Sequence, residues 1–538
     1  MSQDKDKDNA KPKFSETKLD DHKELMKQVG GGRVACPRGM RDLHPEDMLV
    51  REQAIKTIKS IFQTRGAVEI DTPNMERIEI LIGQYGEDEK LIYHLQVEAE
   101  NKERLALRYD LTVPLARYML QHGKQSMKRL QMGPVFRRDK PSAGRFRQFW
   151  QCDYDVAGNY QMPRLIDAEC LSTFRDILKT LDLGPFVLKV NSRKILDGMI
   201  AIAGIPSEKF RKVCSIIDEL DKVTWSDAIA KLKHNNVTDA SIEILARFVN
   251  LRGNADMVVK TLKQDAAFMA NEMAKTGLAE LEQVFGFLVA MGGMDVISFD
   301  LSLARGLSYY TGMIMEAFLT GAPVMDAGNQ GNKDVKENNN NKENKENKEK
   351  KDNKEKDPKD NNKEQQNNKT DEWDDLESKH EIPKGAVGGG GRYDNMFRDI
   401  RNRITGKDDP ASVDMVGFSI GIERIFALLK QKAKTTRKSK TLVYIGKVGG
   451  EYTAEVVKIA AELWKAGIAT EFSYDTNPKP RKQIQEAVEL AIPFVLFIGK
   501  KEVQANTVKL KDMALNKEEE VSRDKLVTTI AAKVQSLC

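Results

Sequence analysis

The segment from Gly133 to Gly158, GPVFRRDKPSAGRFRQFWQCDYDVAG, constrains the fold more than any other part of this chain. Two runs of β-forming residues flank a basic loop, which predicts an antiparallel pair of strands. The loop and its edges carry the side chains Arg137, Arg138, Arg145, Arg147, Phe149 and Trp150. Guanidinium groups match phosphate geometry and an aromatic face can hold a base, so the segment suits a nucleoside triphosphate. A solvated basic hairpin is the alternative, and a P-loop is excluded because no strand–GxxxxGK[ST]–helix unit is present.

Other segments predict a larger sheet around this pair. RLALRYDL, ISFDLSL and IMEAFL alternate or carry β-formers, which favours a sizeable, largely antiparallel sheet. DMLVREQAIKTIKSIFQTRG places apolar residues at helical spacing and ends at Gly66, a natural helix stop. AVEIDTP follows as a short strand. Residues 193–292 carry long amphipathic patterns that predict an inserted helical module, with covering helices as the alternative.

A basic stretch at 430–440, KQKAKTTRKSK, marks the last domain boundary. Strand and helix patterns alternate beyond it, which predicts a separate α/β domain with a mixed sheet at 438–538. The predicted fold class is therefore α+β. Its parts are an antiparallel sheet core with a helical insertion, within residues 33–430, and a C-terminal α/β domain.

Two segments are too polar to fold by themselves. Residues 1–32 read as a polar tail with one weak helix around 18–28. Residues 331–370 contain twelve Lys, twelve Asn and ten Asp or Glu, and such a stretch buries too little apolar surface to offset its ordering entropy. We therefore expect a disordered insertion at about 322–380 that interrupts one domain.

Deleting residues 331–370 should change catalytic activity little, since a tolerated loop insertion adds chain length and no chemistry. Activity assays of the deletion variant against the full chain test this expectation. A collapse of activity on deletion would contradict it.

Composition excludes several classes of protein. The 538 residues are enough for two or three domains, and a net charge of +5 predicts no strong nonspecific adhesion to nucleic acid. The N-terminus lacks an apolar core and contains acids, and no run approaches the ~18 apolar residues of a membrane span. The five cysteines and six histidines form no paired or clustered spacing, which predicts a reducing compartment and no zinc site. We expect a soluble cytoplasmic protein without a membrane partner.

Several motifs together resemble the class II aminoacyl-tRNA synthetases. GPVFRRD with FRQFWQ is similar to their motif 2, VGFSIGIERI to motif 3, and RGMRDLHPEDM with its helix and strand to motif 1, the dimer-forming element. LARGLSYYTG (303–312) and GGGGRYDNM (388–396), with LALRYDLTVPLARY (105–118), resemble the segments that distinguish the histidyl-tRNA synthetase family. The chain departs from that family at Ser308, where an acidic residue is usual. The resemblance covers about 33–320 and 381–538.

The resemblance implies a bent ATP over the antiparallel sheet. Phe149 would lie against the adenine, Arg137 would bind the α-phosphate and the histidine carboxylate, and Arg424 would hold the γ-phosphate. Arg145 would add a phosphate contact, and Asp139 would order the motif 2 loop or meet the magnesium-bound phosphates. Mg²⁺ would bind through the phosphates and not in a protein cage.

The resemblance also implies a histidine pocket, with Asp110 and Thr112 near the ammonium and polar groups on both ring nitrogens. The residues carried over as histidine-binding are Asp110, Leu111, Thr112, Arg137, Gln151, Asp155, Arg305, Tyr309, Tyr310 and Tyr393. Arg305 and Arg137 are the catalytic candidates, and Arg305 would reach the α-phosphate. Neither step needs a covalent enzyme intermediate, so positioning and charge stabilisation would carry catalysis.

The implied partners are L-histidine, ATP, histidine tRNA and a second copy of the chain in a homodimer. The C-terminal domain resembles an anticodon-binding domain, in which Lys479, Arg481 and Lys482 are candidates for RNA contact; a solvated helix start explains them equally well. Two other functions stay open at this point. One is a synthetase-like regulatory protein that binds histidine or uncharged tRNA without ligation, and the other is a class II synthetase of different amino-acid specificity.

Overall fold

A computed structural model describes residues 36–96, 103–141, 145–306, 308–320, 385–432, 438–449 and 452–536. The predicted helix at 18–28 and the insertion at 331–370 lie outside these residues. The strands of the larger domain are β1 Val68–Glu69, β2 Met75–Arg77, β3 Leu105–Leu107, β4 Met127–Phe136, β5 Gln148–Gly158, β6 Phe186–Ser192, β7 Arg252–Gly253, β8 Ile297–Asp300, β9 Met313–Leu319, β10 Ala386–Arg392 and β11 Asp414–Gly421.

Nine of these strands form one sheet in the order β1-β4-β5-β11-β10-β9-β6-β8-β7. Its centre, from β4 to β6, is antiparallel throughout, and the parallel pairs β1–β4 and β6–β8 lie towards its two edges. The predicted α+β class with a largely antiparallel sheet is confirmed. One local prediction was wrong: β3, from RLALRYDL, pairs with β2 in a separate two-stranded sheet. The strand β3 ends at Leu107, and a helix begins at Thr112.

Helices of the larger domain pack on and around the sheet. They are α1 Pro45–Thr64, α2 Ile78–Leu81, α3 Thr112–Gln121, α4 Pro163–Leu181, α5 Arg193–Ile202, α6 Phe210–Asp218, α7 Trp225–His234, α8 Asp239–Val249, α9 Ala255–Gln264, α10 Ala266–Ala270, α11 Glu272–Ala290, α12 Asn395–Thr405 and α13 Ile422–Lys432. Helix α1 corresponds to the helix predicted from DMLVREQAIKTIKSIFQTRG, and Gly66 follows its end with a φ of +77°. Its Phe62 ring stacks on Tyr154 of β5, 5.2 Å between centroids, so this face of β5 is core.

The helices from α5 to α11 occupy the region predicted as a helical module. Only the two-residue β7 interrupts them. They pack on the main core through α5 and α11, where Gly198 of α5 faces Ala274 of α11. A Cβ on Gly198 would lie 2.5 Å from that of Ala274, so the two helices approach as closely as a glycine permits.

The C-terminal domain has its own sheet and its own core. Its elements are β12 Val443–Lys447, α14 Thr453–Lys465, β13 Thr470–Phe472, α15 Pro480–Glu489, β14 Phe494–Ile498, α16 Lys500–Ala505, β15 Thr507–Asp512, β16 Lys517–Ser522 and α17 Leu526–Gln535. The sheet order is β13-β12-β14-β15-β16, with β12 parallel to both neighbours and the last three strands antiparallel. This is the mixed sheet predicted from the alternating pattern.

None of the helices in the described part of the chain is long and apolar enough to cross a membrane.

Candidate functional site

One face of strand β5 carries the candidate site. Its alternate residues Phe149, Gln151, Asp153 and Asp155 share this face because strand side chains alternate. The three polar members are at most 8% exposed although they lie opposite the packed core face. The neighbouring strand β11 places small residues beside them: Gly421 pairs with Gln151, Ser419 with Asp153 and Gly417 with Asp155. The sheet therefore forms a concave floor with polar side chains along one strand.

The glycine run of β10 extends this floor. A Cβ on Gly389 would lie 2.4 Å from Nη1 of Arg305, and one on Gly391 would lie 2.9 Å from the ring of Tyr310. On the opposite face, a Cβ on Gly388 would lie 2.9 Å from the ring of Phe174. The run is thus required by close approach on both faces of the sheet, and its site face brings Arg305 and Tyr310 down onto the strand.

Three guanidinium groups gather at one end of the floor. Nη1 of Arg305 lies 2.5 Å from Oε1 of Glu316 on β9, and Arg424 donates to the backbone carbonyl of Ala386. Burial lowers the pKa of Arg424, and the positive charges of Arg145 and Arg305 lower it further. Cations that repel one another in a partly buried site are stabilised by a bound anion, so this end of the floor suits phosphate groups.

The net charge of Arg305 is secured by its acidic neighbour. Burial alone would lower the pKa of the Arg305 guanidinium, but the Glu316 carboxylate outweighs burial and the net pKa shift is upward. Arg305 thus stays charged in a partly buried position, with its side chain 33% exposed, next to Tyr310.

Arg137 lies just beyond the end of β4. Its Nε donates to the backbone carbonyl of Tyr109 at 3.1 Å, and its guanidinium lies 4.2 Å from the Tyr109 ring centroid and 5.1 Å from that of Phe149. Asp139 and Arg145 face each other across the motif 2 loop, with 3.6 Å between their charged atoms, and both are solvent-exposed to a large extent.

Asp110 marks the opposite end from the arginine cluster. Its Oδ1 accepts hydrogen bonds from the hydroxyl of Tyr85 at 3.0 Å and from the N–H groups of Thr112 and Val113 at 3.1 Å, at the start of α3. The carboxylate therefore caps this helix as well as facing the site. Burial raises the pKa of Asp110 although the Val113 N–H and the Arg137 charge act against it.

Aromatic hydroxyls close the side near Asp155. Tyr393, 2% exposed, donates to Oδ1 of Asp155, and the rings of Tyr309 and Tyr310 meet edge to face with centroids 4.4 Å apart. Among the described residues, Oε1 of Gln151 and Oδ2 of Asp155 are buried without a hydrogen-bond donor. Two unsatisfied acceptors on one face call for a ligand that brings N–H groups, since such burial is otherwise costly.

The structure thus brings the sequence-derived residues to one face of the sheet, in two groups. Arg145, Arg305 and Arg424 form the cationic end. Asp139 lies with them, opposite Arg145. The remaining candidates line the floor or its far end: Asp110, Leu111, Thr112, Arg137, Phe149, Gln151, Asp155, Tyr309, Tyr310 and Tyr393. Sequence reasoning missed Glu316 and Asp153, and also Arg129, which lies next to Asp155. The period-two position of Asp153 between Gln151 and Asp155 was the signal that would have found it.

A profile of the family described as "Histidyl-tRNA synthetase" matches residues 39–330, and one described as "Anticodon binding domain" matches 442–533. The cytoplasmic histidine–tRNA ligase of Dictyostelium discoideum is 36% identical over 533 residues, which are 98% of this chain and 94% of that protein. The chain belongs to the histidyl-tRNA synthetase family.

Further relatives agree with this membership. A histidine–tRNA ligase of Bos taurus, named as mitochondrial, is 36% identical over 93% of this chain and 88% of its own length. The crystal structure of histidyl-tRNA synthetase from Nostoc has a TM-score of 0.71 and 25% identity, and the match covers 94% of this chain and all of that one. Membership of this family argues against the alternative of a class II synthetase specific for another amino acid.

The C-terminal domain places the predicted RNA-binding lysines and arginine at the start of α15. Lys482 pairs with Asp475 at 3.0 Å, and this carboxylate raises the pKa of Lys482. Beside them, Tyr474 is 94% exposed and its ring lies 5.5 Å from that of Phe472. An exposed aromatic next to basic side chains is a feature that sequence analysis missed.

Ser308, where the family usually carries an acid, is exposed and lies outside the buried floor. The described residues contain no group of three or more His, Cys, Asp or Glu side chains that could hold a metal ion.

Replacing Asp153 by asparagine is expected to flatten the pH dependence of stability between about pH 4 and 7. Burial, opposed by Arg129 and reinforced by Asp155, raises the pKa of Asp153 to about 7. The folded state therefore binds a proton that the unfolded chain releases near pH 4, so this contribution is complete at low pH and is lost as pH rises through 7. The effect is on the order of 3 kcal/mol at most, and denaturant unfolding at pH 5 and pH 8 measures it. An unchanged pH slope in the variant would show that Asp153 is ionised in the folded protein.

Proposed function

We propose that this site performs the two-step reaction of a histidine–tRNA ligase. In the first step the histidine carboxylate attacks the α-phosphorus of ATP, which forms histidyl-adenylate and releases pyrophosphate. In the second step the terminal ribose hydroxyl of histidine tRNA takes the acyl group and AMP leaves. The observation that carries the proposal is the junction of a cationic end with a buried polar floor on one sheet face.

The triphosphate would lie over the cationic end. Arg424 and Arg145 would hold the outer phosphates, and Phe149 would pack against the adenine. Arg137, between Phe149 and Asp110, would contact the α-phosphate and orient the histidine carboxylate for in-line attack. Arg305 would stabilise the charge that develops on the α-phosphate, in a position already fixed by Glu316, and such preorganised donors act without reorganisation cost during reaction.

Magnesium would enter with the triphosphate. Mg²⁺ typically binds substrate phosphates and one or two carboxylates, and the partly exposed Asp139 beside Arg145 fits that donor set. When bound, the ion would neutralise phosphate charge. The residues of the chain would still position both substrates.

The polar floor would read the imidazole. Asp155 would accept from the one N–H of a neutral imidazole with Gln151 beside it, while Tyr309, Tyr310 and Tyr393 would close the pocket around the ring. Asp110 would face the ammonium, with Leu111 and Thr112 framing it. An amino acid without matching polar atoms would leave these buried groups unpaired, which can give discrimination of ~10⁴–10⁵ without an editing site.

Histidine-dependent exchange of pyrophosphate into ATP should therefore be readily measured, with exchange driven by proline or threonine lower by roughly 10⁴-fold or more. Exchange isolates the first step from tRNA. Histidine binding without exchange would favour the synthetase-like regulatory protein. Equal exchange with proline or threonine would reject histidine specificity.

We propose a cytoplasmic homodimer as the working form. Named relatives include both cytoplasmic and mitochondrial ligases, so the compartment rests on this chain's own features. The described cysteines Cys152, Cys170 and Cys214 are buried free thiols, which suits a reducing compartment. Val68 on the edge strand β1 is 54% exposed and Met75 is 51% exposed, which supports a partner against the motif 1 side.

Replacing Tyr474 by alanine is expected to lower kcat/KM for tRNA by roughly 5–100-fold, because stacking on a base contributes about 1–3 kcal/mol. Pyrophosphate exchange should be unaffected, since Tyr474 lies in the C-terminal domain. Leu515→Ala, also exposed in that domain at 65%, is the matched control. Equal loss in both variants would contradict a stacking role.

A further inference from the structure

Arg129 on β4 is completely buried, and none of the roles above uses it. It pairs across the sheet with Asp155 and shares the floor face with it. A fully buried guanidinium is costly unless its charge and its N–H groups find partners, so its contacts indicate what it does.

A single nitrogen of Arg129 reaches both parts of the histidine pocket. Nη2 donates to the backbone carbonyl of Leu111 at 3.1 Å and lies 2.8 Å from Oδ2 of Asp155. Leu111 follows Asp110, the carboxylate proposed for the ammonium. Arg129 therefore connects the ammonium side of the pocket to the imidazole side through one atom.

The two carboxylates near Arg129 are not equivalent. Asp155 lies 2.8 Å from the guanidinium and also receives the Tyr393 hydroxyl, whereas Asp153 lies 3.8 Å away. Two buried carboxylates facing one cation cannot both stay ionised at low cost. The contacts favour the negative charge on Asp155 and the proton on Asp153, in line with the elevated pKa of Asp153.

The contact between Arg129 and Asp155 leaves an acceptor unused. Oδ2 of Asp155 lies at ion-pair distance from Nη2, yet the alignment is not that of a hydrogen bond. The charge is held in place while this oxygen has no hydrogen-bond donor among the described residues. This is the arrangement needed to bind an imidazole N–H to a carboxylate.

We propose that Arg129 is a positioning residue of the histidine subsite. It holds Asp155 as the anionic acceptor for the imidazole. It also fixes the Leu111 backbone, and with it Asp110, so that the distance between Asp110 and Asp155 matches the length of one histidine molecule. The inference rests on the proposed function and adds to it a residue that does not touch the substrate. Arg129 also donates from Nη1 to Oε1 of Gln131 at 3.4 Å, but the proposed role is exerted through Asp155 and Leu111.

The test compares Arg129→Met with the full-length wild-type chain in histidine-dependent pyrophosphate exchange. Loss of a charged contact of this kind should raise the KM for histidine by roughly 10–100-fold, with the KM for ATP within about twofold of wild type. The charged or titratable groups around Asp155 are Arg129, Asp153, Tyr393, Asp110 and the Cys170 thiol. Without the guanidinium, Asp155 takes up a proton more readily. The rise in the histidine KM relative to wild type should therefore be larger at pH 6 than at pH 8.5.

Three further variants separate positioning from general damage. Arg392→Met removes an arginine that is equally buried and paired with Asp167, Asp394 and Asp414, so it controls for lost stability. Asp153→Asn, on the same face of β5, should raise the histidine KM less than Arg129→Met does, because the guanidinium lies 2.8 Å from Asp155 but 3.8 Å from Asp153. Arg129→Lys keeps the charge but shortens its reach. It should raise the histidine KM without the added pH dependence, and it decides the matter if Arg129→Met does not fold.

An unchanged histidine KM in Arg129→Met, or the same pH-dependent rise in Arg392→Met, would overturn the inference. A rise in Asp153→Asn as large as in Arg129→Met would also overturn it, because the charge would then lie on Asp153. Failure of the wild-type chain to exchange with histidine would reject the proposed function instead, and that measurement is made first.

Discussion

Arg305→Ala should slow histidyl-adenylate formation by roughly 100-fold or more, while histidine binding remains mostly intact. The guanidinium is held at 2.5 Å from Glu316 and lies over the glycine floor next to Tyr310, where the α-phosphate would react. A donor fixed before the reaction stabilises the transition state more than the bound substrate, so its removal lowers the rate and not the affinity. Single-turnover adenylate formation and calorimetric histidine binding separate these two quantities.

Arg247→Ala is the matched control for this experiment. Arg247 also pairs with one carboxylate, that of Asp265, but it lies on α8 of the helical insertion. Its loss should leave the single-turnover rate near wild type. A near-normal rate in Arg305→Ala would show that the catalytic role is wrongly assigned.

Gly389→Ala is expected to lower the rate of pyrophosphate exchange by at least about 10-fold, with a much smaller effect on folding. The added Cβ would lie 2.4 Å from Nη1 of Arg305 and 3.0 Å from the carbonyl of Met315. The arginine is the flexible partner, so it moves, and a displacement of about 1 Å in a catalytic group is enough for a large loss of rate. Exchange kinetics combined with thermal unfolding measure the two effects.

Two other glycines of the same sheet provide comparison variants for Gly389→Ala, one with a milder and one with a more severe expected effect. A Cβ on Gly421 would meet its nearest atom, the carbonyl of Val387, at an ordinary 3.6 Å, so Gly421→Ala should retain activity. A Cβ on Gly390 would lie 2.0 Å from the carbonyl of Gly417, so Gly390→Ala should destabilise the whole domain. If Gly389→Ala lost stability and activity in parallel, as expected for Gly390→Ala, displacement of Arg305 would not explain the loss.

The architecture followed from local patterns. The strands around the Arg137 loop, the helix that ends at Gly66 and the alternating elements after residue 440 each carry their signal within 10 to 20 neighbouring residues. The motifs that resemble the family indicated the order of the catalytic-domain elements and of the C-terminal domain along the chain. The prediction that RLALRYDL joins the large sheet was wrong. Its β-forming residues indicate that a strand forms but not which sheet it joins, because the partner strand depends on residues far away in the chain.

The candidate site was predicted less completely for the same reason. Arginines and tyrosines in recognisable motifs were found, but Arg129 and Glu316 lie in strands that read as ordinary sheet. Their importance comes from partners across the sheet or above it, Asp155 for the first and Arg305 for the second. Such pairs depend on strand register, which a single sequence specifies only weakly.

The pairing of β9 with β10 has a practical consequence. Phe318 and Ala386 are partners in this antiparallel ladder, so the intervening residues 320–385 leave and re-enter the sheet at neighbouring points. Each doubling of the length of such a connection costs only about 0.6 kcal/mol of closure entropy. The position is therefore a suitable site for inserting another domain. A fluorescent protein or an affinity tag inserted there would begin and end at adjacent points and leave the register of both strands unchanged.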